Sequence, residues 1–134
     1  MIKEFCDWIE TQTAFILGTT LQAGHREQGA PDRCVVVQET GGGDTNYDQP
    51  DMEWLMIQVV ARGESYFNAR DDAKTIHALL HGAAGITIGT APATQYIIGA
   101  ITAVNPPQYI GQDDERRYEF STNYRVAYYN KAGH

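Results

Sequence analysis

The sequence predicts an α+β domain, with a mostly antiparallel four- to five-stranded sheet and helices packed on it, in the order α-β-β-β-α-β-β. Two segments predict this class most directly. Residues 54–82 carry a strand period followed at once by a helix period, so the helix must fold back onto the sheet. Residues 118–128 alternate apolar and polar side chains, which predicts a long final strand. A chain of 134 residues supports one core, so we expect a single domain over residues 1–134.

The first forty residues predict one helix and two strands. Apolar side chains recur at i, i+3, i+4 and i+7 from Ile2 to Ile9, which predicts an amphipathic helix over residues 2–12. Residues 13–21 are rich in β-branched and aromatic side chains and predict a first strand. A polar connection with three turn-forming glycine and proline positions follows, and residues 34–40 predict a second strand.

The central unit is the most regular part of the chain. We expect an interior strand over residues 54–62 and a helix over residues 66–80. Ser65 is expected at the N-cap, and Gly82 is expected just past the helix C-terminus because glycine adopts positive φ without strain. A crossover, extended only at residues 86–88, then leads to a strand over residues 94–104. Together with the final strand it should form an antiparallel pair.

Composition excludes several classes of protein. The net charge is −7, which argues against a surface that holds nucleic acid through phosphate contacts. No run approaches the roughly 18 apolar residues of a membrane span, and the charged N-terminus is unlike a signal peptide, so we expect synthesis and use in the cytoplasm or in something assembled there. Cys6 and Cys34 are expected to be buried free thiols, with a single disulfide as the alternative.

Candidate metal and phosphate sites fail on their spacing. His77 and His81 lie at i, i+4, but Ala78 stands where the zinc-protease motif requires Glu. The glycines Gly41–Gly43 are followed by Asp44, where a phosphate loop requires Lys and then Ser or Thr. We therefore expect no metal, no cofactor and no catalytic residue.

Clustered carboxylates have an ordinary interpretation as well. The pair Asp71–Asp72 is expected on a solvated helix face, and the group Asp113–Glu115 on a solvated loop tip. Catalytic carboxylates need desolvation to shift their pKa values, and nothing in these segments predicts it.

Two features favour protein–protein contacts. The connection over residues 41–53 is long for a compact domain, which is typical of functional loops. The final strand carries Tyr118, Tyr124 and Tyr128 on one face, either as core or as contact surface. A long terminal strand at a sheet edge would suit pairing with another subunit.

The order of these segments resembles the minor capsid and tail terminator (head–tail joining) proteins of long-tailed bacteriophages. The resemblance is carried by Cys34-Val-Val-Val-Gln-Glu-Thr-Gly-Gly, Ile57-Gln-Val-Val-Ala-Arg-Gly, the helix from Tyr66 to Gly82, and Tyr118-Glu-Phe-Ser-Thr-Asn-Tyr-Arg-Val. It covers roughly residues 35–128, and it rests on their order because no single motif is diagnostic.

The resemblance implies a structural virion protein at the phage head–tail junction. Such a protein would form a hexameric ring that caps the tail tube and joins it to the head connector, with DNA passing through unbound. It would assemble in the host cytoplasm. The acidic composition is consistent with a channel that does not hold DNA. We hypothesise that the partner or ring interface uses Gly41, Gly42, Gly43, Asp44, Tyr47, Asp48, Arg125 and Tyr129.

Two alternatives remain open at this stage. A neck or head-completion adaptor would have a different partner and the same general build. A small cytoplasmic enzyme would use the cleft between helix and sheet, with His77 and Tyr66 as the nearest candidate acid–base groups.

Overall fold

The computed structural model of the chain describes residues 1–26, 28–42, 52–90 and 95–130. Within these residues lie two α-helices and seven strands. They are, in chain order, α1 (Ile2–Gln12), β1 (Leu21–Ala23), β2 (Cys34–Gly42), β3 (Met52–Gly63), α2 (Tyr66–Leu80), β4 (Ala84–Ile88), β5 (Tyr96–Ala103), β6 (Gln108–Gln112) and β7 (Tyr118–Asn130).

All seven strands belong to one mixed sheet. The strand order is β1-β2-β3-β7-β5-β4, and β6 pairs with β7 beside this path. The pair β1–β2 is parallel, and the remaining pairs are antiparallel. The predicted α+β class is confirmed, and so is the antiparallel pairing of β5 with β7. The expected four to five strands were too few, because β4 and β6 are short strands in segments predicted as connections.

Helix α1 holds the two ends of the sheet together. It packs against β1 and β2 at one end of the strand order and against β4 at the other. A sheet whose two ends contact one helix must curl around it. Phe5, Cys6 and Ile9 are fully buried and join the same hydrophobic cluster as Ile88 of β4 and Leu21 of β1.

Helix α2 covers the middle of the same concave side, against β3, β7 and β5. Alternate strand residues supply the matching apolar surface, including Ile57 and Val59 of β3 and Tyr124 and Val126 of β7. The turn from β3 into α2 is tight: a Cβ added at Gly63 would lie 3.2 Å from the backbone nitrogen of Ala69.

The predicted helix is confirmed over residues 66–80, and its ends behave differently. Gly82 has φ +83°, as expected for the residue that ends the helix in the left-handed region. Ser65 occupies the N-cap position, but its side chain makes no capping hydrogen bond. The Ser65 carbonyl accepts the first helical hydrogen bond, from the Ala69 amide.

The predicted strand over residues 13–21 is wrong. Only Leu21 of that segment lies in a strand, β1, and the residues before it form a turn. The Ile16 carbonyl accepts hydrogen bonds from the amides of Thr19 and Leu21, and Gly18 has φ +94°. The local turn hydrogen bonds, and the positive φ of Gly18 that a regular strand does not adopt, therefore outweigh the β propensity of the segment.

The final strand is interior, and this corrects the expectation that it pairs with another subunit at a sheet edge. One edge of β7 is hydrogen-bonded to β3 from Tyr118 to Tyr129. The other edge pairs with β6 over residues 118–121 and with β5 over residues 124–130. The strand therefore has backbone partners on both sides along most of its length.

Both cysteines are buried and unbonded, as predicted. Burial, together with the nearby Asp7 carboxylate, raises the pKa of the Cys6 thiol to about 12. Cys6 is therefore a protonated core side chain at neutral pH.

We expect Phe5→Ala to lower the free energy of unfolding by about 3–5 kcal/mol, because it removes a fully buried ring from the helix that joins both ends of the sheet. Urea denaturation followed by circular dichroism measures this change. Lys3→Ala, at an exposed position on the same helix, should change it by less than about 0.5 kcal/mol. An equally small effect of Phe5→Ala would contradict the role assigned to α1.

Candidate functional site

The structure describes half of the predicted interface residues. Gly43, Asp44, Tyr47 and Asp48 lie outside the described residues. The remaining four lie on β2 and β7, at the end of the sheet where residues 43–51 join β2 to β3; they are Gly41, Gly42, Arg125 and Tyr129.

Strand register brings these four residues into adjacent rows. Gly41 pairs with Met56 on β3, and Met56 pairs in turn with Arg125 on β7. Trp54 lies two residues before Met56 on β3. Met52, two residues earlier still, pairs with Tyr129 on β7. Gly41, Gly42, Arg125 and Tyr129 therefore lie in one region of the sheet.

The side chains of this region point away from both helices. Ile57 and Val126 belong to the core face, so their sequence neighbours Met56 and Arg125 lie on the opposite face. The guanidinium carbon of Arg125 lies 4.5 Å from the ring centroid of Trp54, a cation–π contact. We call this surface the Trp54–Arg125 face; its members are Met52, Trp54, Met56, Arg125 and Tyr129.

Trp54, Met52 and Met56 were not predicted as interface residues, although the sequence carried a signal for them. On the second face of β3, the side chains near the start of the strand are apolar, whereas those of a solvent-exposed face would be polar. Each of the three is half-buried, and the described helices cover the other side of the sheet.

Two glycines shape this end of the sheet. Gly41 has φ +135° and follows an irregularity in the β2–β3 register, a bulge that bends the end of β2. Gly99 lies at a second bulge, in β5, and a Cβ added there would lie 3.7 Å from Cε2 of Tyr129. The Tyr129 ring therefore lies against β5 at Gly99, where the strand has no side chain.

The histidines of α2 form a structural contact with the core. His77 Nδ1 lies 3.2 Å from the hydroxyl of Tyr124, and the rings of His77 and His81 are stacked with centroids 5.2 Å apart. Burial and the neighbouring His81 lower the pKa of His77, so it is neutral at pH 7. Among the described residues no group of His, Cys, Asp or Glu is arranged to hold a metal ion.

The acid–base pair of the enzyme alternative is not brought together. Tyr66 begins α2 and His77 lies eleven residues later, about 16 Å along the helix axis at 1.5 Å per residue. Tyr66 contacts aromatic rings of β6 and β7, whereas His77 contacts Tyr124. The two side chains cannot act on one substrate atom.

The densest charged cluster joins two connecting segments of the chain, and we call it the clamp. Arg117 donates from Nε to Asp113 (2.7 Å) and from Nη1 to Asp32 (2.9 Å), which joins the β6–β7 turn to the segment before β2. Arg62, 4% exposed, donates to the carbonyls of Asp32 (3.1 Å) and Pro31 (2.7 Å). Arg62 therefore fixes two backbone carbonyls, and Arg117 fixes two carboxylates.

Two carboxylates expected to be solvated are engaged in this way. Asp113 accepts hydrogen bonds from Arg117 and from the Glu115 amide, while Asp114 beside it is exposed. Asp72, 5% exposed, receives a bidentate contact from Arg33 at 2.9 Å per bond. Arg33 comes into range of Asp72 only through the fold, whereas Arg117 lies four residues after Asp113 and the turn between them closes the contact.

The sequence model of one family, described as bacteriophage tail terminator protein, matches residues 25–130. The chain therefore belongs to the bacteriophage tail terminator family, which confirms the resemblance drawn from its sequence. Members of this family are structural components of the virion that interact with other virion proteins.

No curated protein sequence matches the chain. In the described part of the chain, neither helix is long and apolar enough to cross a membrane.

We expect Asp113→Asn to lower the free energy of unfolding by about 1–2 kcal/mol at neutral pH. Partial burial raises the pKa of the Asp113 carboxyl, but its hydrogen bonds from Arg117 and Glu115 outweigh burial and hold that pKa below its usual value. The stabilisation is therefore complete above the unfolded pKa of about 3.9 and is lost as the pH falls through the lower folded pKa.

Urea denaturation at pH 7, 5 and 3 measures this difference between wild type and Asp113→Asn. The difference should be largest at pH 7 and 5 and should shrink at pH 3, whereas Asp114→Asn at the exposed neighbouring position should have little effect at any pH. A difference independent of pH would contradict the clamp.

Proposed function

We propose that this protein terminates the phage tail: it forms a closed ring, hexameric by family resemblance, that caps the tail tube and joins it to the head connector. The observation that carries the proposal is the family match, which spans residues 25–130 and so includes both β2–β3 and β7. Assembly takes place in the host cytoplasm before the virion is complete. The protein acts without catalysis, cofactor or metal.

The Trp54–Arg125 face is the proposed contact with a neighbouring subunit. It combines Trp, Arg, Met and Tyr, the side-chain types that are enriched in protein interfaces and dominate their binding energy. Because β7 has backbone partners on both edges, this contact is made by side chains and not by strand addition.

The segment over residues 43–51 is the proposed contact with a virion partner. In the sequence it connects β2, which ends at Gly42, to β3, which begins at Met52, and it carries three aspartates. The net charge of −7 supports a ring through which DNA passes without specific binding.

We expect Arg125→Asp combined with Tyr129→Asp to weaken the ring, because it places carboxylates in a contact built on aromatic and cationic side chains. Light scattering of the purified protein measures the mass, which should fall from that of the ring towards that of the monomer. Lys3→Asp, on α1, should leave the ring mass unchanged. A double variant that is folded by circular dichroism and retains the wild-type mass would sink this assignment.

We expect deletion of Asp44–Gln49 to leave the subunit folded and to abolish head–tail joining. Electron microscopy of infected lysates complemented with the variant should show separate heads and tails. Normal virion yield would refute the role of this segment.

Micrographs of infected cells that lack the protein discriminate between a terminator and a neck adaptor, the alternative drawn from the sequence. If the protein caps the tube, cells lacking it entirely should contain tails of uncontrolled length. Tails of uniform length that fail to join heads would favour the adaptor.

A further inference from the structure

A second exposed apolar surface lies at the opposite end of β7. The rings of Tyr66 and Phe67, at the start of α2, are 5.5 Å apart, and Tyr66 lies 5.5 Å from Tyr109 of β6. Tyr66 also lies 5.9 Å from Tyr118 and 5.1 Å from Phe120, both on β7. We call these five residues the aromatic cluster.

The cluster is far more exposed than a core. Phe67 is 66% exposed, Tyr109 46% and Tyr66 37%, while Phe120 beneath them is 4% exposed. Ile110, adjacent to the cluster on β6, is 56% exposed. Single exposed apolar side chains are ordinary, but several in contact around a buried anchor mark an interaction site.

The backbone beside the cluster favours docking by side chains. Among the described strands, β6 pairs only with β7, so its other edge is open. A register shift between Tyr109 and Gly111, where Gly111 has φ +114°, interrupts that edge after two residues. Bulges of this kind prevent a regular strand from being added.

The two surfaces are placed as a head-to-tail contact requires. Tyr118 and Phe120 lie on the helix side of β7 and Arg125 on the other side. Tyr118 and Arg125 are seven residues apart, about 23 Å along the strand at about 3.3 Å per residue. Closed rings are built from two different surfaces of each subunit, whereas a surface that binds its own copy closes a dimer and stops.

We infer that the aromatic cluster of one subunit binds the Trp54–Arg125 face of a second copy of this chain. The inference rests on the proposed ring and specifies its contact. The electron-rich faces of Tyr66, Phe67 and Tyr109 attract a guanidinium such as that of Arg125. The cluster consists of Tyr and Phe, and the Trp54–Arg125 face of Trp, Tyr, Met and Arg; all of these side-chain types are enriched in protein interfaces.

Single variants test whether the cluster is a contact. Phe67→Asp should weaken self-association by about 30-fold or more, as expected for a central interface residue. Because Phe67 is largely exposed, the variant should retain the wild-type circular dichroism spectrum. Ile16→Asp is the matched control: Ile16 is 58% exposed and lies outside the cluster, so the ring should persist.

Mixing variants tests which surface the cluster binds. Phe67→Asp keeps an intact Trp54–Arg125 face, and Arg125→Asp keeps an intact cluster. Each alone should be monomeric, and an equimolar mixture should form a one-to-one dimer that cannot close, with twice the monomer mass by light scattering. A mixture that stays monomeric would overturn the inference, and an Arg125→Asp variant that forms a dimer on its own would replace it with cluster-to-cluster binding.

The wild-type measurement separates this inference from the proposed function. If the wild-type protein forms a ring and the Phe67→Asp variant forms the same ring, the cluster contact is contradicted but the proposed ring is not. A wild-type protein that is monomeric at every concentration contradicts both.

Discussion

Strand β7 constrains the whole structure because it is hydrogen-bonded on both edges. One edge belongs to β3, and the other is divided between β6 and β5. A strand buried in this way offers neighbouring molecules only its side chains, and those on the helix side are already in the core over Tyr124 and Val126. Side chains of β7 and its neighbours reach the surface near Tyr118 and near Arg125, and these are the two surfaces that we propose for association.

The curl of the sheet places the core on one side. Because α1 contacts both β1 and β4, the ends of the sheet are drawn together and the core lies on the concave side with both helices. The opposite face carries no described helix. At the end of β3 that carries Arg62, residues 31–32 are held by hydrogen bonds from Arg62 and Arg117. The family match begins at residue 25, after α1 and β1, so the matched part comprises strands β2 to β7 and α2.

Local patterns were sufficient to predict the regular elements, and long-range pairing accounts for the failures. The periods over residues 54–82 and 118–128 gave β3, α2 and β7 correctly, since each spans enough residues for one face to be identified. Residues 13–21 have strand composition but lack a partner strand, and the turn at Gly18 prevails. Strand β6 has little alternation of its own and exists because β7 offers it an edge.

The candidate surfaces were predictable to a similar degree. Arg125 and Tyr129 could be identified from the alternation of the last strand, but their neighbour Trp54 belongs to a strand more than sixty residues away in sequence. The aromatic cluster draws on α2, β6 and β7, and no sequence window contains all three. The pairing of Asp72 with Arg33 was hidden for the same reason.

We propose that this protein works by fitting side-chain surfaces of one copy to another. A single-particle electron microscopy reconstruction of the purified protein at side-chain resolution would show whether it does. We expect a closed ring in which Phe67 of each subunit contacts the strand that carries Arg125 in the next. A ring whose boundaries leave both surfaces in solvent, or a population of monomers alone, would contradict it.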